Sequence, residues 1–353
     1  MEIFDMREFD GHELVVFGHD AGTGLRAIIA IHSTGLGPAA GGCRMWPYAT
    51  TSDAVTDVLR LSRGMSYKNA MAELPLGGGK AVIIGDSRKG KSPQLFEAFG
   101  RFVESLGGRY ITAEDVGTTT TDMANVARVT RYVSGLRSSP GAAGGDPAPK
   151  TALGVYLGIQ AAVKFRLGRA DLKGVSVAIQ GLGRVGQALC GLLAADGAKL
   201  FVADVDQAAV ERACDQYQAR PVAAEEVLSL DVDVLSPCAL GGVLDSHSVR
   251  RLRARVVAGA ANNQLAQGED GTALQKAGIL YAPDYVINAG GIISVSREYY
   301  GGSEAQVIGE IQAIPARLTE IFERARRESR TTNAVADQMA RERLSGHARS
   351  RVA

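Results

Sequence analysis

Two lysines, Lys68 and Lys80, flank the triplet Gly77-Gly78-Gly79 in the stretch from Arg63 to Lys80. Ammonium groups sharing one pocket lower each other's proton affinity, and burial lowers it further. One could then stay charged and hold a carboxylate while the other, neutral at physiological pH, acts as a base. Asp115 is the third candidate. It closes the run Tyr110-Ile-Thr-Ala-Glu-Asp115 and is followed by a loop of small residues, where an α/β protein tends to place a catalytic acid. Strand alternation turns Glu114 the other way. Each feature also has an ordinary reading: solvated lysines around a glycine turn, and an aspartate that serves the turn itself. A phosphate-binding P-loop is excluded, because Leu74 stands where its first glycine belongs and Ala81 replaces its Ser/Thr.

A second constellation is stronger. Gly174 to Gln180 reads as a buried strand, and Gly181-Leu182-Gly183-Arg184-Val185-Gly186 follows at once. Gln187 to Ala195 has the apolar spacing of a helix, and Lys199 to Asp204 gives a second strand ending in an acid. Strand, GxGxxG, helix, strand and an acid about 20 residues on form the complete dinucleotide fingerprint. Gly181 makes the tight turn, Gly183 lets a pyrophosphate approach the backbone, and Gly186 lets helix and strand pack. The helix N-terminus offers N–H donors to phosphate. Asp204 would bond the ribose hydroxyls and repel a 2′-phosphate, which favours NAD over NADP. Thr151, near the start of a long helix, and Ala239, after a strand-like run, are further cofactor candidates. Asn262 and Asn263 could serve nicotinamide ribose or substrate, or simply form a turn.

These groups need a scaffold of two α/β domains, and the chain's 353 residues suffice for both. Strands are expected at His12–Gly18, Leu25–His32, Ala81–Gly85 and Tyr110–Glu114, and helices at Ser52–Glu73 and Ser92–Leu106. Gly35 to Gly42 reads as a loop whose backbone a ligand could approach. The boundaries expected are a substrate-binding domain over 1–137 and a Gly/Pro/Ser-rich hinge over 138–150. A Rossmann-type, doubly wound NAD-binding domain then spans 151–333, and a last helix over 334–353 packs back on the first domain.

Charge is balanced, with 39 Lys+Arg against 38 Asp+Glu, so no basic stripe calls for nucleic acid. No apolar run reaches the roughly 18 residues of a membrane span, and the N-terminus is too polar for a signal peptide. The four cysteines lie far apart without a CxxC pair, and the five histidines lack metal-ligand spacing. A cytoplasmic protein without a metal is expected.

RGMSYKNA, LPLGGGKAVI, RYITAEDVGTT, QGLGRVG, SPCALGG, AGAANNQL and YAPDYVINAGG together resemble the leucine/phenylalanine/valine dehydrogenases of the glutamate dehydrogenase superfamily, over Met1 to about Met339. The likeness is greatest to the leucine enzymes. It implies that Lys68 binds the substrate α-carboxylate, that Lys80 activates the water attacking the imine carbon, and that Asp115 shuttles the proton. It also implies that Gly41 and Gly42 approach substrate through their backbone, and that Asn262 contacts substrate or nicotinamide.

The implied reaction is reversible oxidative deamination. NAD+ takes hydride from Cα of an L-amino acid, water adds to the iminium, and the carbinolamine collapses to a 2-oxo acid and ammonium. Ala40, Ala113, Ile292 and Val295 would line an apolar side-chain pocket, so leucine and other branched-chain amino acids are expected. Ala40 departs from the bulkier residue of leucine enzymes and leaves phenylalanine open. The family also implies a homo-oligomer. Two other readings are a 2-hydroxy acid dehydrogenase, for which no histidine is suitably placed, and an NAD-sensing protein without turnover.

Overall fold

A computed structural model describes residues 2–136 and 139–350, and for 346–350 the backbone alone. Residues 137 and 138, where the expected first domain ends and the hinge begins, and 351–353 of the expected last helix lie outside the described residues. The chain divides into two compact units, Met1–Gly145 with Ser294–Gln306 and Ala340–Ala353, and Asp146–Ile293 with Val307–Met339.

The first unit is built on a five-stranded mixed sheet. Its strands are β1 (Leu14–Asp20), β2 (Leu25–Ser33), β3 (Ala39–Trp46), β4 (Gly77–Ile84) and β5 (Tyr110–Glu114), in the order β1-β2-β4-β3-β5. β2 runs antiparallel to β1 and β4, whereas β3 runs parallel to β4 and β5. Helix α1 (Thr51–Met71) lies on one face. It packs Ala54, Val55, Val58 and Leu59 against Ile28, Ala30 and Val82. Burying each large side chain of that set contributes about 1.5–3 kcal/mol. Thr50 starts the helix with a reciprocal capping box to Asp53, worth about 1 kcal/mol. Helices α2 (Pro93–Glu104) and α3 (Thr120–Val126) close the other face, over Phe96, Phe99, Tyr110 and Met123.

Of the segment expected as a loop, 35–42, residues 35–38 form a turn, but Ala39–Gly42 enter the sheet as the start of β3. Ladder pairs join Ala40 to Gly78 and Ile111, and Gly42 to Ala113. Its small, unalternating residues hide the strand period, because β3 is buried on both faces and needs no polar side.

The second unit holds a six-stranded, wholly parallel sheet in the order β11-β10-β9-β6-β7-β8. The chain enters with α4 (Ala148–Leu167), then β6 (Ser176–Gln180), α5 (Arg184–Ala195), β7 (Lys199–Ala203), α6 (Gln207–Tyr217) and β8 (Arg220–Pro221). It returns through β9 (Val234–Pro237), α7 (Ser246–Val249), β10 (Val256–Val257), α8 (Asp270–Lys276) and β11 (Leu280–Tyr281). Strand order therefore reverses between β6 and β9, the crevice where such sheets bind ligands. Helices α9 (Asp284–Ile287), α10 (Gly290–Tyr299), α11 (Glu304–Ile311), α12 (Ile314–Glu328) and α13 (Thr332–Ser350) complete the chain. Within the first unit, Arg341 of α13 donates to the Tyr67 hydroxyl at 2.8 Å, and Arg343 donates to the last carbonyls of α1, Ala70 and Met71.

Candidate active site

β4 carries Gly78, Lys80 and Val82 on the face that α1 covers. Gly78 is required there: a Cβ at that position would fall 2.1 Å from the Ser66 backbone nitrogen. The helix can thus sit down on the strand, with Asn69 donating to the Gly77 carbonyl at 2.6 Å. Lys68 lies in this last stretch of α1, half-buried, between Tyr67 and Asn69. Lys80 is buried, 6% exposed, and its ammonium forms an ion pair with Oδ2 of Asp115.

Asp115 is held by the turn after β5. Thr118 N–H donates to the Asp115 carbonyl and Asp115 N–H to the Thr118 hydroxyl, both at 2.9 Å. Gly117 takes φ +80 in that turn, where a Cβ would lie 2.1 Å from the Met45 carbonyl oxygen. Burial pushes the Asp115 pKa up, but Lys80 and Arg44 outweigh it and bring it down to about 2. The acid is ionised. Cys43 and Tyr110 beside it are neutral, because burial raises both of their pKa values. Glu114 faces solvent, where its carboxylate accepts from the Thr120 hydroxyl at 2.9 Å.

Gly41 and Gly42 lie where the β3–β4 ladder is interrupted. Pairing passes from Ala40↔Gly78 to Cys43↔Ala81 without them, beside Lys80. A Cβ on Gly41 would meet the Gly79 carbonyl oxygen at 1.8 Å, and one on Gly42 would meet Asp115 Cβ at 2.7 Å. Ala40 and Ala113 are buried on β3 and β5. Ile292 and Val295 are on α10, the first buried and the second half-buried.

In the second unit, Gly181 follows β6 with φ +101, its Cβ position 2.7 Å from Ala239 after β9. Gly186 packs against the Gly181 carbonyl, where a Cβ would come to 2.1 Å. Gly183 faces open space and caps α5 without any side-chain hydrogen bond. α5 begins at Arg184 rather than at the expected Gln187, so Arg184, Val185 and Gly186 form its first turn and leave their N–H groups for an anion. Buried Leu182 donates its N–H to the Asp204 carboxylate at 2.5 Å, which fixes that acid just past β7. Thr151 in the first turn of α4 lies against Gly291. Asn262 is exposed and accepts from Asn288 at 2.8 Å, whereas Asn263 takes φ +53 as a turn former. An uncapped helix start beside an open glycine, with an acid one strand away, fits a nicotinamide dinucleotide.

Two family models match the chain. That described as "Glu/Leu/Phe/Val dehydrogenase, dimerisation domain" covers residues 14–132, and "Glutamate/Leucine/Phenylalanine/Valine dehydrogenase" covers 202–348. The chain belongs to this family. A leucine dehydrogenase of Geobacillus stearothermophilus is 47% identical over 98% of the chain and 94% of its own length. A phenylalanine dehydrogenase of Bacillus thermotolerans is 45% identical over 98% and 91%. The crystal structure of L-tryptophan dehydrogenase from Nostoc punctiforme superposes with a TM-score of 0.84 at 46% identity, covering 96% of this chain and 97% of that one.

One part of the site of this Glu/Leu/Phe/Val dehydrogenase was missed in the sequence. Arg44 of β3 lies with Nε 3.5 Å from Asp115 Oδ2 and with Nη1 2.9 Å from Asp57 Oδ2 of α1. Tyr48 donates to the same Asp57 oxygen at 2.6 Å. No expected element contained Arg44, so nothing aimed it at Asp115; it follows the last β3–β5 ladder pair, Cys43↔Glu114, which brings it beside that acid. No helix among the described residues is long and apolar enough to cross a membrane, and no cluster of metal-binding side chains occurs among them.

Proposed function

We propose that this protein catalyses the reversible, NAD-dependent oxidative deamination of an apolar L-amino acid, leucine and other branched-chain amino acids foremost, to the 2-oxo acid and ammonium. The observation that carries the reading is the buried Lys80–Asp115 ion pair beside the Gly41–Gly42 break, in a chain of the Glu/Leu/Phe/Val dehydrogenase family. A nicotinamide held by Gly181, Gly183, the first turn of α5 and Asp204 supplies, when bound, the acceptor for the Cα hydrogen.

The chain's own residues do the rest. Lys68 holds the substrate α-carboxylate as a point charge. Asp115 takes a proton from the substrate ammonium and, once water has added at Cα, returns it to that nitrogen, which departs as ammonia. The carbinolamine hydroxyl gives up its proton as the 2-oxo carbonyl forms, and ammonia with that proton makes the ammonium. Lys80 draws the proton from that water, and the adjacent carboxylate stabilises the ammonium it becomes. None of Ala40, Ala113, Ile292 and Val295, the side-chain contacts that the family likeness implies, carries a charge to pair with a second carboxylate, which supports an apolar over a dicarboxylic substrate. Asp204 sets NAD over NADP by repelling a 2′-phosphate.

Phenylalanine is the second reading. The small side chain of buried Ala40 favours it, by leaving volume that a bulkier residue would fill. One methylene in such a pocket discriminates by only about 1–3 kcal/mol. A cytoplasmic homo-oligomer completes the proposal, and the four free cysteines agree with a reducing compartment.

The test is NADH appearance with L-leucine, L-valine, L-isoleucine and L-phenylalanine at alkaline pH. Turnover with at least one is expected. NAD binding without NADH from any apolar amino acid would contradict the reading and leave a nucleotide sensor.

A further inference from the structure

Asp115 serves two cations through one oxygen. Lys80 contacts Oδ2 from β4, and the Nε of Arg44 on β3 lies 3.5 Å from the same atom. That Nε is buried and has no hydrogen-bond acceptor among the described residues. The other end of the guanidinium is tied down, because Nη1 donates to Asp57 Oδ2 at 2.9 Å and Tyr48 donates to that oxygen at 2.6 Å. Arg60 lies 3.5 Å from the second Asp57 oxygen, at the surface. Signs therefore alternate along Asp57, Arg44, Asp115 and Lys80, across α1, β3, the turn after β5, and β4.

We propose that Arg44 is a positioning residue for the deamination. By sharing Oδ2 of Asp115 it keeps that carboxylate from closing on Lys80 alone, so that the lysine can release its proton; Asp57 and Tyr48 hold Arg44 at that post. This rests on the roles given above to Lys80 and Asp115. Two unshared opposite charges in a half-dry pocket attract strongly enough to hold the proton on the amine. A second cation on the same oxygen weakens that hold without moving either partner.

The other ionisable groups do not substitute for it. Cys43 of β3 and Tyr110 of β5 are neutral. Lys91 and Asp122 pair with each other. Lys68 lies on α1 with the carboxylate-binding role. A mere latch between α1 and β3 would use the same contacts, so the test must read charge rather than stability.

The experiment measures kcat/KM for L-leucine with saturating NAD against pH, on the full chain and its variants. Arg44→Gln is expected to lower kcat about tenfold or more, to leave KM for L-leucine within about threefold, and to move the rising limb by about half a pH unit or more to higher pH. Arg44→Lys returns the limb toward its original place. Asp57→Asn, which removes a negative charge instead, moves it to lower pH.

Limbs that stay put while activity and Tm fall, or shifts of the same sign for Arg44→Gln and Asp57→Asn, overturn the inference. If Arg44→Gln does not fold, Asp57→Asn decides by the same sign, with Arg44→Lys as the check on charge. Failure of the parent reading shows separately, as absence of NADH from every apolar amino acid in the unaltered protein, and the role of Arg44 falls with it.

Discussion

The ammonium of Lys80 and the carboxylate of Asp115 meet as an ion pair although their strands are not neighbours, because β3 runs between β4 and β5. Gly42 on that intervening strand lets them meet. It leaves open the space through which Asp115 approaches, 2.7 Å from where a Cβ would stand.

Replacing Asp115 by Asn keeps the shape and removes the charge. Deamination is expected to fall roughly a hundred- to ten-thousand-fold in kcat, the range for loss of a positioned acid or base. Its pKa also makes a stability prediction. It is lowered from 3.8 to about 2 on folding, so the stabilisation is complete above pH 3.8 and is lost as the pH falls toward 2. The amount is on the order of 2 kcal/mol. Urea unfolding across that range should show a slope in the parent that is reduced in Asp115→Asn.

Gly42→Ala should cost activity on the order of tenfold to a hundredfold, because the methyl group must displace Asp115. Gly64→Ala is the control. That helical glycine has nothing within 4 Å of a Cβ, and the change should raise stability by about 1 kcal/mol with kcat unaltered. Parallel kcat and Tm measurements separate the two.

Asp204 accepts from Leu182 and from Asp206 N–H, at 2.5 and 2.8 Å, and so stands fixed at the end of β7. Asp204→Ala is expected to raise kcat/KM with NADP relative to NAD about tenfold or more, the equivalent of about 1.4 kcal/mol. An unchanged ratio would remove Asp204 from cofactor choice.

His12 packs against His32, their ring centroids 4.9 Å apart, and its Nε2 lies 3.0 Å from the Leu59 carbonyl and the Ser62 hydroxyl of α1. Burial is the main cause that takes its pKa from 6.5 down to about 4. The unfolded chain therefore binds more protons between those values, and stability drops as pH falls from 6.5 to 4. The total is on the order of 3 kcal/mol. His12→Asn should flatten that part of the stability-against-pH curve, measured by urea unfolding.

Which parts of this were legible in the sequence follows from period and locality. The fingerprint at Gly181–Gly186 is local: a run of a few residues sets its own turn, helix start and strand, so its shape reads directly. Lys80 and Asp115 could be singled out by the strand ends and glycines around them. Their meeting could not, because it depends on β3, whose Ala and Gly residues show no alternation. Arg44 was invisible for the same reason, since its partner Asp57 comes from a helix and its target from a turn far along the chain. The glycines at 77–79 read in the sequence as a turn ahead of the strand expected from Ala81. They are the first half of β4, where Gly78 admits the Ser66 backbone and Gly79 meets the Tyr110 ring.

The most direct test of the account is kcat for L-leucine or the best apolar amino acid in Lys80→Ala, beside NAD affinity measured by fluorescence titration. Turnover should vanish while NAD binds as it does to the unaltered protein. A Lys80→Ala protein that still turns over within about tenfold of the parent, a difference of about 1.4 kcal/mol in barrier, would contradict the account.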